Sequence, residues 1–149
     1  MKNLFEPATT EEVNQRMAQL KPDSERQWGK MSPAQALAHC SAGMEVSVGL
    51  KFPPRNLFGR LIGRRVLKTF LAGKPFPRNS PTDKSYVVKD DRDFPVERQR
   101  LLELIDRFTG AGPGGCTKHP HSFFGPMTPL EWAELTYIHL DHHLRQFGV

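Results

Sequence analysis

The chain has 149 residues, 38% of them hydrophobic, with 21 lysines and arginines against 16 aspartates and glutamates and a formal net charge of +5. That length suits a single domain, residues 1–149, with one substantial core. A mean hydropathy of −0.52, with no stretch near the roughly 18 apolar residues of a spanning helix, excludes a helical integral membrane protein. Met1-Lys2-Asn3-Leu4-Phe5-Glu6-Pro7 carries no apolar signal core, and Cys40 and Cys116 stand alone without CxxC spacing. The expectation is a cytoplasmic protein with no disulfide framework.

Thr9, Thr10, Glu11 and Glu12 open a first helix, with Val13, Met17 and Leu20 at its apolar spacing and Pro22 as its stop. Ser32 as N-cap, Pro33 in the first turn and Gln35 as capping-box partner start a second, running to about Val48. Pro53 and Pro54 break the chain, and a helical stretch follows over Leu57 to Leu71, ending near Gly73 and Pro75. Residues 74–94 read as extended loop, rich in the turn formers Pro75, Pro77, Asn79, Pro81 and Asp83. Pro95 opens another helix, whose apolar face carries Val96, Leu101, Leu102, Leu104, Ile105 and Phe108 and which Gly110 stops. A Gly/Pro loop then leads to a last helix from about Thr128 to about Phe147. Helical periodicity without strand alternation predicts an all-α fold: a helical bundle with an additional short helix and two long loops.

The last helix holds His139, His142 and His143 within five residues. Its start is signalled by Thr128 as N-cap, Pro129 in the first turn and Glu131 as capping-box partner. The i, i+4 spacing of His139 and His143 puts both imidazoles on one face, in one arc with Trp132, Leu135 and Gln146. Two imidazoles so placed can grip one divalent ion, and a third from another helix completes a His₃ site with an open position. His39, about two turns into the second helix among the small residues Ala36, Ala42 and Gly43, is the preferred third ligand. His119 and His121 sit in a Gly/Pro-rich loop and are expected at the mouth of a site or in solvent. His142 falls at the edge of the core-facing arc, as a rim group or a partner of the ligands. Trp28 and Trp132 are candidate pocket walls, or core. Gln146 is a candidate partner behind His143, or a packing residue. Glu45, on the His39 helix, is the carboxylate within possible reach of the site.

Met31-Ser32-Pro33-Ala34-Gln35-x-Leu37-x-His39, together with Glu131-Trp132-x-x-Leu135-x-Tyr137-x-His139-x-x-His142-His143-Leu144-Arg145-Gln146-Phe147, resembles the DinB/YfiT-like metalloenzyme superfamily, more narrowly a DinB-like branch of unknown function. The resemblance extends from Trp28 to the terminus. It implies a four-helix bundle with a metal on one His of the second helix and a His-x-x-x-His pair of the last, positions that match His39, His139 and His143. It also implies a reaction class, since related DinB-like enzymes include thiol-dependent S-transferases and a maleylpyruvate isomerase that uses a low-molecular-weight thiol. Pairing of such proteins through helices implies a homodimer.

Lys51, Arg55, Arg60, Arg64, Arg65, Lys68, Lys74 and Arg78 follow one another with no acidic residue between them. Such a run is a solvated helix face or a binding patch for nucleic acid, anionic lipid or an acidic small molecule. No nucleic-acid motif accompanies it, so the expected partner is a small-molecule substrate, of anionic character, with neither nucleic acid nor membrane. The functional expectation is a divalent-metal-dependent enzyme, a thiol-linked transferase or hydrolase, using zinc or nickel. The alternative is a non-catalytic metal- or small-molecule-binding helical module.

Overall fold

A computed structural model describes every residue except Thr82. Among the described residues there are five α-helices and no strand: α1 Pro7–Gln19, α2 Pro33–Ser47, α3 Leu57–Leu71, α4 Phe94–Ala111 and α5 Pro129–Gln146. Single 3₁₀ turns lie at Lys84–Tyr86 and Pro113–Gly115.

The two capping boxes form as their sequences predict. Ser32 Oγ accepts from Gln35 N at 3.2 Å while Gln35 Oε1 accepts from Ser32 N at 3.0 Å. Thr128 Oγ1 and Glu131 Oε2 make the same exchange at 3.2 and 2.8 Å. Each cap satisfies donors that the first helical turn leaves free and contributes about 1 kcal/mol. The first helix differs from expectation. It begins at Pro7 rather than at Thr9, because proline fits the first turn and the Glu6 carbonyl already accepts from Thr9 N at 2.9 Å.

α2 is the centre of the molecule. Nearly every residue along it is buried, on all sides of the helix, as expected for a helix enclosed by others rather than laid on a surface. Its main partner is α4, and it also packs on α5; α1 and α3 each pack on α5. The core joins Val13 and Met17 of α1, Leu37 and Met44 of α2, Leu101, Ile105 and Phe108 of α4, and Leu140 of α5. Phe5 stacks on Phe108 with ring centroids 5.1 Å apart.

α3 lies outside this core, against the 121–125 turn. Gly59 and Gly63 make that approach possible. A Cβ at either position would stand 2.5 or 1.9 Å from the Phe123 carbonyl oxygen. No helix among the described residues is long and apolar enough to cross a membrane.

Candidate metal centre

His39 on α2 and His139 and His143 on α5 face one another. Their ring centroids form a near-equilateral triangle, with separations of 4.8, 4.8 and 4.9 Å. One ring nitrogen from each lies within 4.8 Å of the other two. His39 and His143 are buried and His139 is half-buried. Gly43, one turn beyond His39 on α2, makes room for the third ring: a Cβ there would stand 3.3 Å from His139 Nδ1.

The surrounding oxygens determine which nitrogen points inward. His39 Nδ1 is 2.8 Å from the Tyr86 carbonyl. A carbonyl only accepts, so Nδ1 carries the proton and Nε2 keeps its lone pair. His143 Nδ1 is 2.8 Å from Gln146 Oε1, while Gln146 Nε2 donates to the Trp28 carbonyl at 2.9 Å. That second bond orients the amide, so His143 Nδ1 is also the protonated nitrogen. His39 Nε2 and His139 Nε2 are 2.9 Å apart. With a lone pair on His39, a proton on His139 Nε2 makes that contact a hydrogen bond, and it is the proton a cation would displace.

All three rings are held neutral. Burial lowers His39 below the ordinary 6.5, against the Tyr86 carbonyl, which raises it. Burial, followed by the nearby His39, brings His143 down to about 3, with Gln146 opposing. Burial, then His39 and His143, keep His139 well below its usual value. Three converging neutral imidazoles fit a divalent cation. Among the described residues no fourth His, Cys, Asp or Glu joins the set, which leaves coordination positions for other ligands.

The triad opens into a cavity of about 790 Å³. Its walls are mostly apolar and come from three directions: Val66 and Phe70 of α3, Phe76 and Tyr86 of the 74–94 segment, and Phe124 of the loop before α5. This size and lining suit a small organic molecule. Trp28 also lines it, tilted against His142 with centroids 5.5 Å apart. The exposed Arg78 guanidinium lies 4.4 Å from the Trp28 ring centre, a cation–π contact at the cavity wall. Trp132 lines the cavity too, 2% exposed, and its Nε1 has no partner among the described residues.

The remaining candidates divide. His142 lines the cavity beside the triad, between Trp28 and Phe76. His121, from the Gly/Pro loop, lines the cavity rather than standing in solvent. Its ring packs between Phe124 and Trp132, and its Nδ1 accepts from Phe123 N at 3.0 Å and Phe124 N at 3.2 Å. Burial brings it down to about 4, with Asp83 opposing and Arg55 adding. His119 is not part of the cavity wall; its Nε2 meets the Pro53 carbonyl at 3.1 Å under the Phe52 ring. Glu45 does not reach the site. It sits off the His39 face of α2 and is ion-paired to Arg100 of α4 and to Lys51. Burial raises its pKa, but hydrogen bonds from Lys51 and Arg100 outweigh that and leave it lowered, so it stays a carboxylate.

Neither cysteine is poised as a nucleophile. Burial alone raises the Cys40 thiol far above its usual range and pushes Cys116 up to about 11. Residues that the sequence marks only as part of a loop complete the wall, among them Phe76, Asn79 and Asp83 of the 74–94 segment. They are brought there by the path of that segment over α2 and α5, which no local periodicity encodes.

A family model described as a protein of unknown function, DUF1569, matches residues 3–148, and the chain belongs to that family. No curated protein and no solved structure matches it.

Proposed function

We propose that this DUF1569 chain is a DinB-like metalloenzyme holding one divalent ion, zinc or nickel, on His39, His139 and His143. The observation that carries the reading is the inward convergence of three neutral imidazoles at the side of a large apolar cavity. An ion so held keeps its full positive charge and supplies Lewis-acid chemistry, activating a thiol or polarising a carbonyl oxygen. The substrate class that suits the walls is a small molecule with a substantial apolar body, and a low-molecular-weight thiol is the co-substrate that the DinB resemblance adds.

The chain's own groups have separate tasks. The Tyr86 carbonyl and Gln146 hold protons on His39 Nδ1 and His143 Nδ1, so that both Nε2 atoms face inward. Phe70, Phe76 and Phe124 exclude water from the apolar side. Arg78, stacked on Trp28, offers positive charge to an anionic end of the substrate.

The same bundle supports a second reading, a non-catalytic metal- or small-molecule-binding module. It is favoured by one observation: Asp83 is the sole carboxylate among the described lining residues, and its Oδ1 already accepts from Ser85 N at 2.9 Å.

Metal content of untagged protein, measured by elemental mass spectrometry beside His39→Ala and His143→Ala, tests the proposal. The expected result is near-stoichiometric metal in the parent and loss in both variants. Failure to take up zinc, nickel, manganese or iron on reconstitution overturns it. Turnover of an electrophile with a thiol donor by the loaded protein then separates the enzyme from the module.

A further inference from the structure

α3 presents an unusual outward face. Leu57, Phe58 and Leu61 are 78%, 62% and 83% exposed, and Phe52 just before the helix is 61% exposed. The inward face is fixed by the glycine approach to Phe123 and by Val66 and Phe70 in the cavity wall, so these apolar side chains cannot turn in without moving the whole helix. At about 100° per residue, Leu57, Leu61, Arg64 and Lys68 share one stripe, with Arg60 on one side and Arg65 on the other.

The charges on this face are not all engaged. Arg64 pairs with Glu131 of α5, Lys51 with Glu45, and Arg78 stacks on Trp28. Arg60, Arg65 and Lys68 have no ion-pair partner among the described residues, and the chain from Lys51 to Arg78 contains no acidic residue. The result is an exposed apolar tip at the start of α3 flanked and followed by unpaired cations.

We propose that this face docks α3 onto an anionic lipid surface, with Phe52, Leu57, Phe58 and Leu61 entering the headgroup boundary and Arg60, Arg65 and Lys68 meeting lipid phosphates. Charge complementarity selects that occupant. A second copy related by a two-fold axis would set the same cations against one another, with Glu131 already engaged by Arg64. A nucleic acid would meet apolar side chains at the centre of the patch, where phosphates need donors. A basic helix with an apolar stripe is the form that lies in a membrane interface. This departs from the expectation of no membrane partner, which rested on the absence of a spanning segment. It is independent of the metal reading, although the same helix lines the cavity on its other side.

The test is co-sedimentation of the full chain with phosphatidylcholine vesicles, with and without phosphatidylglycerol. The expected result is binding that requires phosphatidylglycerol, falls as salt is raised, and weakens roughly 30-fold in an Arg65→Gln, Lys68→Gln variant. A Leu57→Ser, Leu61→Ser variant should likewise lose binding while keeping the parent's circular dichroism. No binding to either vesicle overturns the proposal, as does binding that both variants retain. A dimer in sedimentation equilibrium that Leu61→Ser dissolves overturns it in favour of a second copy. Duplex DNA binding that needs Arg65 and Lys68 but not Leu61 overturns it in favour of nucleic acid.

Discussion

Gln146 shows how one side chain can fix which nitrogen a neighbouring imidazole presents. Its carbonyl oxygen accepts a hydrogen bond from His143 Nδ1 and its amide nitrogen donates to the Trp28 carbonyl. Gly29 leaves room for this: it has φ +78 and a Cβ there would stand 2.5 Å from Gln146 Nε2. Replacing Gln146 with Leu keeps the bulk and removes the acceptor. Metal affinity should drop about 10- to 100-fold with little change in circular dichroism, as read by competition with a chelator of known affinity. Residues of this kind differ in how far sequence reveals them. The His139–His143 pair is legible because i, i+4 spacing on a well-capped helix fixes a shared face. His121 is not, because its place in the wall depends on the isolated β-bridge between His121 and Gly125, a contact that composition hides among glycines and prolines.

At the scale of elements, starts and stops written in side chains were readable. The capping boxes at Ser32 and Thr128 locate the beginnings of α2 and α5, and turn formers bracket α3. The 74–94 segment was legible only as loop; that it forms a cavity wall follows from tertiary packing. The glycines of α3 show the same division. Gly63 faces the Phe123 carbonyl with a virtual Cβ at 1.9 Å, whereas a Cβ at Gly110, in the last turn of α4, meets nothing within 4 Å. Gly63→Ala must push α3 off the turn and should lower stability by about 1–3 kcal/mol. Gly110→Ala should raise it by about 0.4–1 kcal/mol through the unfolded chain. Urea unfolding midpoints of the two variants, shifting in opposite directions, check this.

For the whole molecule, neutral buried imidazoles make stability depend on pH. His121 is brought from the ordinary 6.5 to about 4. Between those values the unfolded chain binds a proton that the folded chain refuses. The corresponding stability is therefore fully present above pH 6.5 and is lost as pH falls toward 4. The contribution of this one group is on the order of 3 kcal/mol, and the lowered His39, His139 and His143 act with the same sign. Metal-free protein should show a urea midpoint that drops steadily across that window. In His121→Asn, whose amide oxygen can accept from the Phe123 and Phe124 N–H groups, the drop should be visibly smaller. Equal slopes in the two proteins would remove His121 from this account.

His39 and His139 stand 100 positions apart in the chain, so an ion between them would act as a staple across most of the polypeptide. Of these three histidines, only His139 and His143 stay near each other in the unfolded chain, and closing the long loop to His39 costs entropy that the folded chain has already lost. The folded state would therefore bind the ion more tightly than the unfolded one, and by mass action each gain in ion concentration would draw molecules out of the unfolded pool. Scarcity of the ion would then appear first as protease susceptibility and lower abundance, before any question of turnover arises.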